Sequence, residues 1–231
     1  MRHRPNALML FAAGFGTRMG ALTANQPKPL IKVAGKTLID HTLDLAQPCG
    51  FETTVANLHY KPEMLEAHLS GTNVQTLREE PDILETGGGL RNALPLLGDR
   101  PVVTSNTDAI WQGPNPFEQA LEAWDPEKMD ALLVCTPLPQ CVGHTGAGDF
   151  KIDDDGRLTR GTGDVVYGGI QVLKTTGLHD IEDDVFSLNV LWNQMLEEGR
   201  LYGVKYPGQW CDVGRPDGIE LAETMLENAN V

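Results

Sequence analysis

The chain has 231 residues, 41% of them hydrophobic and 22% charged, a size that suits one large α/β domain spanning residues 1 to 231. No apolar run approaches the ~18 to 20 residues of a membrane span. Thirty-two acidic side chains against 18 basic ones leave a net charge of −14, which repels nucleic-acid backbones and anionic lipid and argues against both as partners.

The apolar stretch from Ala7 to Ala13 runs into glycines, not into a small-residue cleavage site, and so reads as a buried first strand and not as a signal peptide. Further strands are expected from Thr53 to Asn57, Val74 to Leu77 and Pro101 to Ser105. The intervening stretches from Leu38 to Ala46, Pro62 to Leu69 and Thr86 to Leu96 repeat apolar residues at spacings of three and four, as half-buried helices do. Strands alternating with helices make a doubly wound, mostly parallel sheet that binds its ligands outside the carboxyl ends of the strands.

The second half is less regular. A helix from Pro116 to Trp124 and a buried strand from Ala131 to Thr136 precede a polar, glycine-rich stretch from Val142 to Gly148. Strand-like pieces from Asp149 to Ile152 and Val165 to Leu173, with the turn Asp153-Asp154-Asp155-Gly156 after the first, suggest a small antiparallel insertion in a mixed sheet. A helix from Val185 to Glu198, a strand pair from Tyr202 to Tyr206 and Gln209 to Val213, and a helix from Pro216 to Leu226 complete the expected elements. Cys49, Cys135, Cys141 and Cys211 lack C-x-x-C or zinc-ligand spacing, as free thiols in a reducing cytoplasm would.

Charge is unevenly placed. Residues 1 to 39 hold Arg2, Arg4, Arg18, Lys28, Lys32 and Lys36 and no acid, so this segment carries +6 and the remainder −20 of the total −14. Within it, the first strand is followed by Ala12-Ala13-Gly14-Phe15-Gly16-Thr17-Arg18. Glycines at the carboxyl end of a parallel strand let backbone N–H groups close on a phosphate. The dinucleotide pattern G-x-G-x-x-G fails, because Met19 stands at its third glycine and no acid occurs before Asp40, and the G-x-x-x-x-G-K-[ST] loop is absent. Pro27-Lys28-Pro29 then offers an ammonium from a restrained backbone. Together, the loop and the bracketed lysine point to a nucleoside triphosphate site.

The run from Leu10 to Met19, then Pro27-Lys28-Pro29-Leu30 and Val33-Ala34-Gly35-Lys36-Thr37-Leu38-Ile39, resembles the signature of the sugar-1-phosphate nucleotidyltransferases. Leu84-Glu85-Thr86-Gly87-Gly88-Gly89, Asn106-Thr107-Asp108, Gly148-Asp149-Phe150, Gly168-Gly169-Ile170 and Trp210-Cys211-Asp212-Val213-Gly214 agree in order, so the likeness covers essentially the whole chain. The short length, the triple glycine and the W-x-D-V-G ending are most similar to members that use UTP and N-acetylmuramate 1-phosphate, with GTP and mannose 1-phosphate as the alternative pair. The resemblance implies a Rossmann-like nucleotidyltransferase fold, an NTP and a sugar 1-phosphate as substrates, Mg2+ as cofactor, and a monomer or homodimer. The chain departs from the family in having Gly20-Ala21 where a proline usually follows the loop.

The resemblance also implies roles. Ala12, Ala13, Gly14, Gly16 and Thr17 would surround the triphosphate, with Arg18 clamping the leaving phosphates and Lys28 on the α-phosphate and incoming sugar phosphate. Asp108 and Asp212 would hold the metal, although a lone aspartate in a turn also suits an Asx turn. Glu80 would read the base edge near Thr86 and Gly87, while Gly88, Asn106, Gly148 and Gly169 would approach the sugar. No clear second phosphate-binding lysine follows, Lys151 being the nearest candidate. His59 and His144 read as packing or supporting groups, because the attacking phosphate is already anionic. A sensing module that kept the pocket and lost turnover is the rival of another class; the joint presence of Arg18, Lys28, Asp108 and Asp212 argues against it.

Overall fold

The structure is a computed structural model that describes residues 4–228; Arg2, in the basic segment, lies outside the described residues. The first half alternates four strands with three helices. β1 (Ala7–Phe11) leads to α1 (Leu38–Ala46), β2 (Thr53–Leu58), α2 (Pro62–Leu69), β3 (Val74–Arg78), α3 (Glu85–Leu97) and β4 (Val102–Asn106). β1 pairs in parallel with β2 on one side and β4 on the other, and β3 extends the sheet beyond β2. Local chemistry sets the helix starts. The Thr37 hydroxyl accepts from the Asp40 N–H at 3.2 Å at the head of α1. The Lys61 residue that opens α2 has a left-handed φ of 49°, and Pro62 follows it in the first turn, where its missing N–H costs nothing.

β5 (Ala109–Gln112), α4 (Pro116–Ala123) and β6 (Ala131–Pro137) follow, then the antiparallel insertion β7 (Gly148–Ile152), β8 (Leu158–Gly163) and β9 (Val165–Leu173). The chain closes with α5 (Asn189–Glu197), β10 (Leu201–Lys205), β11 (Gln209–Asp212) and α6 (Asp217–Asn228). β9 runs antiparallel to β4, carrying the main sheet on to β6 and then to β10. Helices α3 and α5 pack Leu90, Ala93, Leu97, Leu191 and Met195 onto one face, and α1, α2 and α4 pack Ile39, Leu65 and Phe117 onto the other. Two apolar faces on one sheet are what the doubly wound reading requires, each large buried side chain contributing roughly 1.5–3 kcal/mol.

Several elements differ from the sequence expectation, the unexpected strands β5 and Cys141–Val142 among them. β8 returns after the Asp153–Gly156 turn, where Asp153 Oδ1 accepts from the N–H groups of Asp155 and Arg157 at 3.0 and 2.8 Å. Its sequence, LTRGTG, has one buried residue, Leu158, and therefore no apolar alternation to announce a strand. The pieces around Tyr202 and Trp210 do not pair with each other. β10 lies parallel to β6, whereas β11 joins β5 and the short strand Cys141–Val142 in a separate three-stranded sheet. Pro207-Gly208 turns the chain between them, with Gly208 pressed so close to the Gln112 carbonyl that a Cβ would stand 2.2 Å from its oxygen. Helix α5 starts at Asn189, because residues 184–188 are a strap over the start of α3. There, Leu84 O accepts from Phe186 N at 3.3 Å and Thr86 Oγ1 from Leu188 N at 3.0 Å.

Candidate active site

The parallel register places Phe11, Asn57 and Asn106 level at the carboxyl ends of β1, β2 and β4. Beyond them opens a cavity of about 470 Å³, walled by residues 11–18 together with Lys28, Pro29, Asn57, Glu79, Ile83, Glu85, Thr86, Asn106, Thr107, Asp108 and Gly214. Two bonds fix its floor: the Ala12 N–H donates to Asn57 Oδ1 at 2.9 Å, and the Thr107 hydroxyl donates to Phe11 O at 2.8 Å.

In the loop, Gly14 has nothing within 4 Å of where a Cβ would stand, so its backbone is open to a ligand. Gly16 turns with φ of 64°, and a Cβ there would come within 2.9 Å of Lys28 Cβ and Thr23 Cγ2. The loop then closes on itself, with Met19 N and Thr23 Oγ1 donating to Gly16 O at 2.9 and 3.1 Å. This packing carries Lys28 to the site. Its side chain is 11% exposed and its Nζ lies 2.6 Å from Asp108 Oδ2.

Asp212 arrives from the other end of the chain through the second sheet. β11 pairs antiparallel to β5 with Asp212 opposite Ala109, and the Val213 N–H donates to Asp108 O at 2.9 Å. The two aspartates are therefore neighbours by register. Asp212 is itself exposed, yet desolvation by the surrounding protein, and then the Asp108 carboxylate, push its carboxyl up, against the opposing pull of Lys28, Arg18 and His144. A Cβ on Gly214 would stand 2.6 Å from Asp212 Oδ2 and 3.1 and 3.2 Å from the Arg18 Nη atoms. Arg18, Lys28, Asp108 and Asp212, separate in the sequence, thus share one place. Among the described residues no group of three or more His, Cys, Asp or Glu side chains could hold a metal. Asp108 and Asp212 offer hard carboxylate oxygens, a donor type that suits magnesium.

Ala12, Ala13, Gly14, Gly16, Thr17, Thr86 and Asn106 line the cavity, and several other sequence candidates do not. Glu80 is turned outward, its side chain 73% exposed and 3.9 Å from Arg78; the acid in the wall is its neighbour Glu79. The amides of Gly87 and Gly88, expected to face a ligand, both donate to Phe186 O, at 2.8 and 3.1 Å. Cβ atoms there would stand 2.3 Å from the Phe186 ring and the Asp184 carbonyl, so these glycines serve the strap. Gly148 is buried against Val165 and Gly163 in the antiparallel insertion. Gly169, with φ of 98°, lies against Asn106, where a Cβ on it would come within 3.0 Å of the Asn106 side chain. Lys151 is exposed on β7 opposite Thr159 and takes no part in the cavity.

Among the polar lining residues, Asn57, Glu79, Glu85 and Thr107 escaped the sequence reading. The only signal for Asn57 is a carboxamide near the carboxyl end of a buried strand. Glu85 takes a left-handed φ of 61°, an uncommon conformation for a side chain with a Cβ. His59 acts as a support, its Nδ1 2.9 Å from Glu79 O and its ring edge-on to Phe15 at 5.3 Å. His144 lies in the loop after Val142, with Nε2 3.2 Å from Ala147 O.

Known proteins resemble both the sequence and the fold. The MobA-like NTP transferase domain family matches residues 8–144. The N-acetylmuramate alpha-1-phosphate uridylyltransferase of Caulobacter vibrioides is 38% identical, over 99% of this chain and 100% of its own. The protein of the same name from Neisseria meningitidis is 32% identical, over 94% and 96%. A mannose-1-phosphate guanyltransferase of Gibberella zeae is more distant, 27% identical over 94% of this chain and 63% of its own. Among solved structures, HddC from Yersinia pseudotuberculosis, complexed with GMP-PN, superposes with a TM-score of 0.77 at 19% identity, over 96% of this chain and 99% of its own; at that identity the likeness bears on the fold alone.

Proposed function

Because the chain belongs to the MobA-like NTP transferase family, we propose that it transfers the uridylyl group of UTP to N-acetylmuramate 1-phosphate, giving the UDP-sugar and pyrophosphate. A phosphate oxygen of the sugar 1-phosphate bonds to the α-phosphorus, the bond from that phosphorus to the α,β-bridging oxygen breaks, and its electron pair leaves with pyrophosphate. The observation that carries this reading is the meeting of Arg18, Lys28, Asp108 and Asp212 beyond the carboxyl ends of β1 and β4.

The reaction brings several anionic oxygens together, and two unit charges ~4 Å apart repel by ~4 kcal/mol even at an effective dielectric near 20. The planar fork of Arg18 suits two oxygens of the departing phosphates at once. Lys28, held by Asp108 at 2.6 Å, would exchange that carboxylate for the α-phosphate and the incoming phosphate. The nucleophile is already ionised, so no general base is needed. Magnesium belongs to the proposal: Asp108 and Asp212 would hold it, and it would neutralise phosphate charge. The uridylyltransferase relatives match at higher identity and over nearly their whole length, which favours UTP over GTP with mannose 1-phosphate.

Pyrophosphate release tests the reading, with magnesium and with UTP, GTP and dTTP each crossed against N-acetylmuramate, mannose and glucose 1-phosphates. Release is expected with UTP and N-acetylmuramate 1-phosphate. Release confined to GTP and mannose 1-phosphate would transfer the assignment to the guanylyl reaction, and nucleotide binding without release at any pair would make the chain a sensor.

A further inference from the structure

Glu79 is 1% exposed and Asn57 3%, both in the cavity wall. Glu79 Oε1 accepts from Asn57 Nδ2 at 2.7 Å, and its Oε2 accepts from the Leu84 N–H at 2.8 Å. A carboxylate offers acceptors only, so the Asn57 amide must turn its NH2 to Glu79 and its oxygen to the Ala12 N–H, 2.9 Å away. The third glycine of the triple-glycine run makes room for this pair: a Cβ on Gly89 would stand 2.5 Å from Glu79 Oε1 and 2.9 Å from Asn57 Nδ2. The relay thus ties the entry of α3, whose Glu85 and Thr86 line one side of the cavity, to the first residue of the glycine loop on the other.

We infer that Glu79 is a positioning residue for the nucleotide: by fixing which end of the Asn57 amide faces Ala12, it sets where the triphosphate loop begins. The inference rests on the nucleotidyl-transfer reading. The donor and acceptor pattern makes it sharply testable. In Glu79→Gln, the new amide must serve both the Leu84 N–H and Asn57. If its oxygen faces Leu84, its NH2 forces Asn57 to turn and set an NH2 against the Ala12 N–H. If its oxygen faces Asn57, its NH2 opposes the Leu84 N–H. Either way one pair of donors collides. Asn57→Asp alone sets two carboxylates together. The double variant Glu79→Gln/Asn57→Asp exchanges the two groups, restores every donor to an acceptor and keeps the net charge.

The experiment measures UTP binding by titration calorimetry, and steady-state KM for UTP and for the sugar 1-phosphate, on wild type, both single variants and the double. Each single variant is expected to raise Kd and KM for UTP about tenfold or more, the worth of one buried polar group left without a partner, with KM for the sugar 1-phosphate little changed. The double is expected to return to within about threefold of wild type. A merely structural role would lower the active fraction, and so apparent kcat, without moving KM for UTP. Unchanged UTP affinity in Glu79→Gln, or a folded double that binds as poorly as the singles, would overturn the inference. If the singles fail to fold, the double decides alone. Wild-type pyrophosphate release reports separately on the proposed reaction, so the two failures are distinguishable.

Discussion

Two charge clusters sit at opposite edges of the main sheet, and they are built in opposite ways. At the start of β6, the Asp130 carboxylate receives Lys174 Nζ on one oxygen and Arg200 Nε on the other, each at 2.7 Å. Burial raises its carboxyl, but the hydrogen bonds from Arg200 and Lys174 outweigh it and hold the group below the usual range. At the carboxyl ends of β1 and β4, Asp108 has one cation, Lys28, and Asp212 is pushed up by desolvation and by Asp108 itself. The first cluster is closed, with each oxygen of its one carboxylate taken by a cation. The second sets two carboxylates side by side next to an open cavity, leaving Asp212 raised despite Lys28 and Arg18, an arrangement that a charged ligand would complete.

Four substitutions would break or sharpen this contrast. The largest effect is expected from Lys28→Ala, which should lower kcat by about 10²-fold or more, as loss of one group stabilising transition-state charge does, while melting shifts by only a few degrees; turnover near wild type would remove Lys28 from the reaction. Arg18→Lys, which replaces a two-pronged fork by a point charge, should weaken UTP binding about tenfold in calorimetric titration. Unchanged affinity would count against the clamp.

In the closed cluster, Asp130→Asn should leave kcat intact and lower Tm by about 2–4 °C at neutral pH. Because the folded protein holds this carboxyl below its ordinary value of about 3.9, its contribution is present above that pH and fades as acid protonates it. The Tm gap between wild type and variant should therefore close on titration from about pH 6 toward pH 2.5; a gap that widened would contradict the ion-pair account. The smallest effect belongs to Asp212→Asn. Measured without divalent cation, it should raise Tm by about a degree, since it removes one of two like charges. A fall in Tm would mean that Asp212 stabilises the fold by bonds other than those described.

Much of the molecule was legible in the chain. The alternation of apolar strands with three-and-four-spaced helices located β1 to β4 and α1 to α3 nearly to the residue. The glycine loop and the bracketed lysine were legible and do line the cavity. Less could be read where neighbours in sequence part ways in space. Glu79 and Glu80 are adjacent acids with the same chemistry, yet one is 1% exposed in the cavity wall and the other is turned to solvent beside Arg78. Gly87 and Gly88 carry the family pattern, but their amides are engaged by a carbonyl from residue 186.

The sequence by itself determined the periodicities, turns and charge bias, because these depend on residues within a few positions of one another. Only the tertiary structure decided that Asp212 stands beside Asp108, since that depends on how β11 registers on β5. It alone also decided that Asn57 faces Ala12 through one end of its amide, because the acceptor that forces the choice comes from a different strand end. Hydrogen-bond direction and strand register are contacts between distant residues, and no local pattern encodes them.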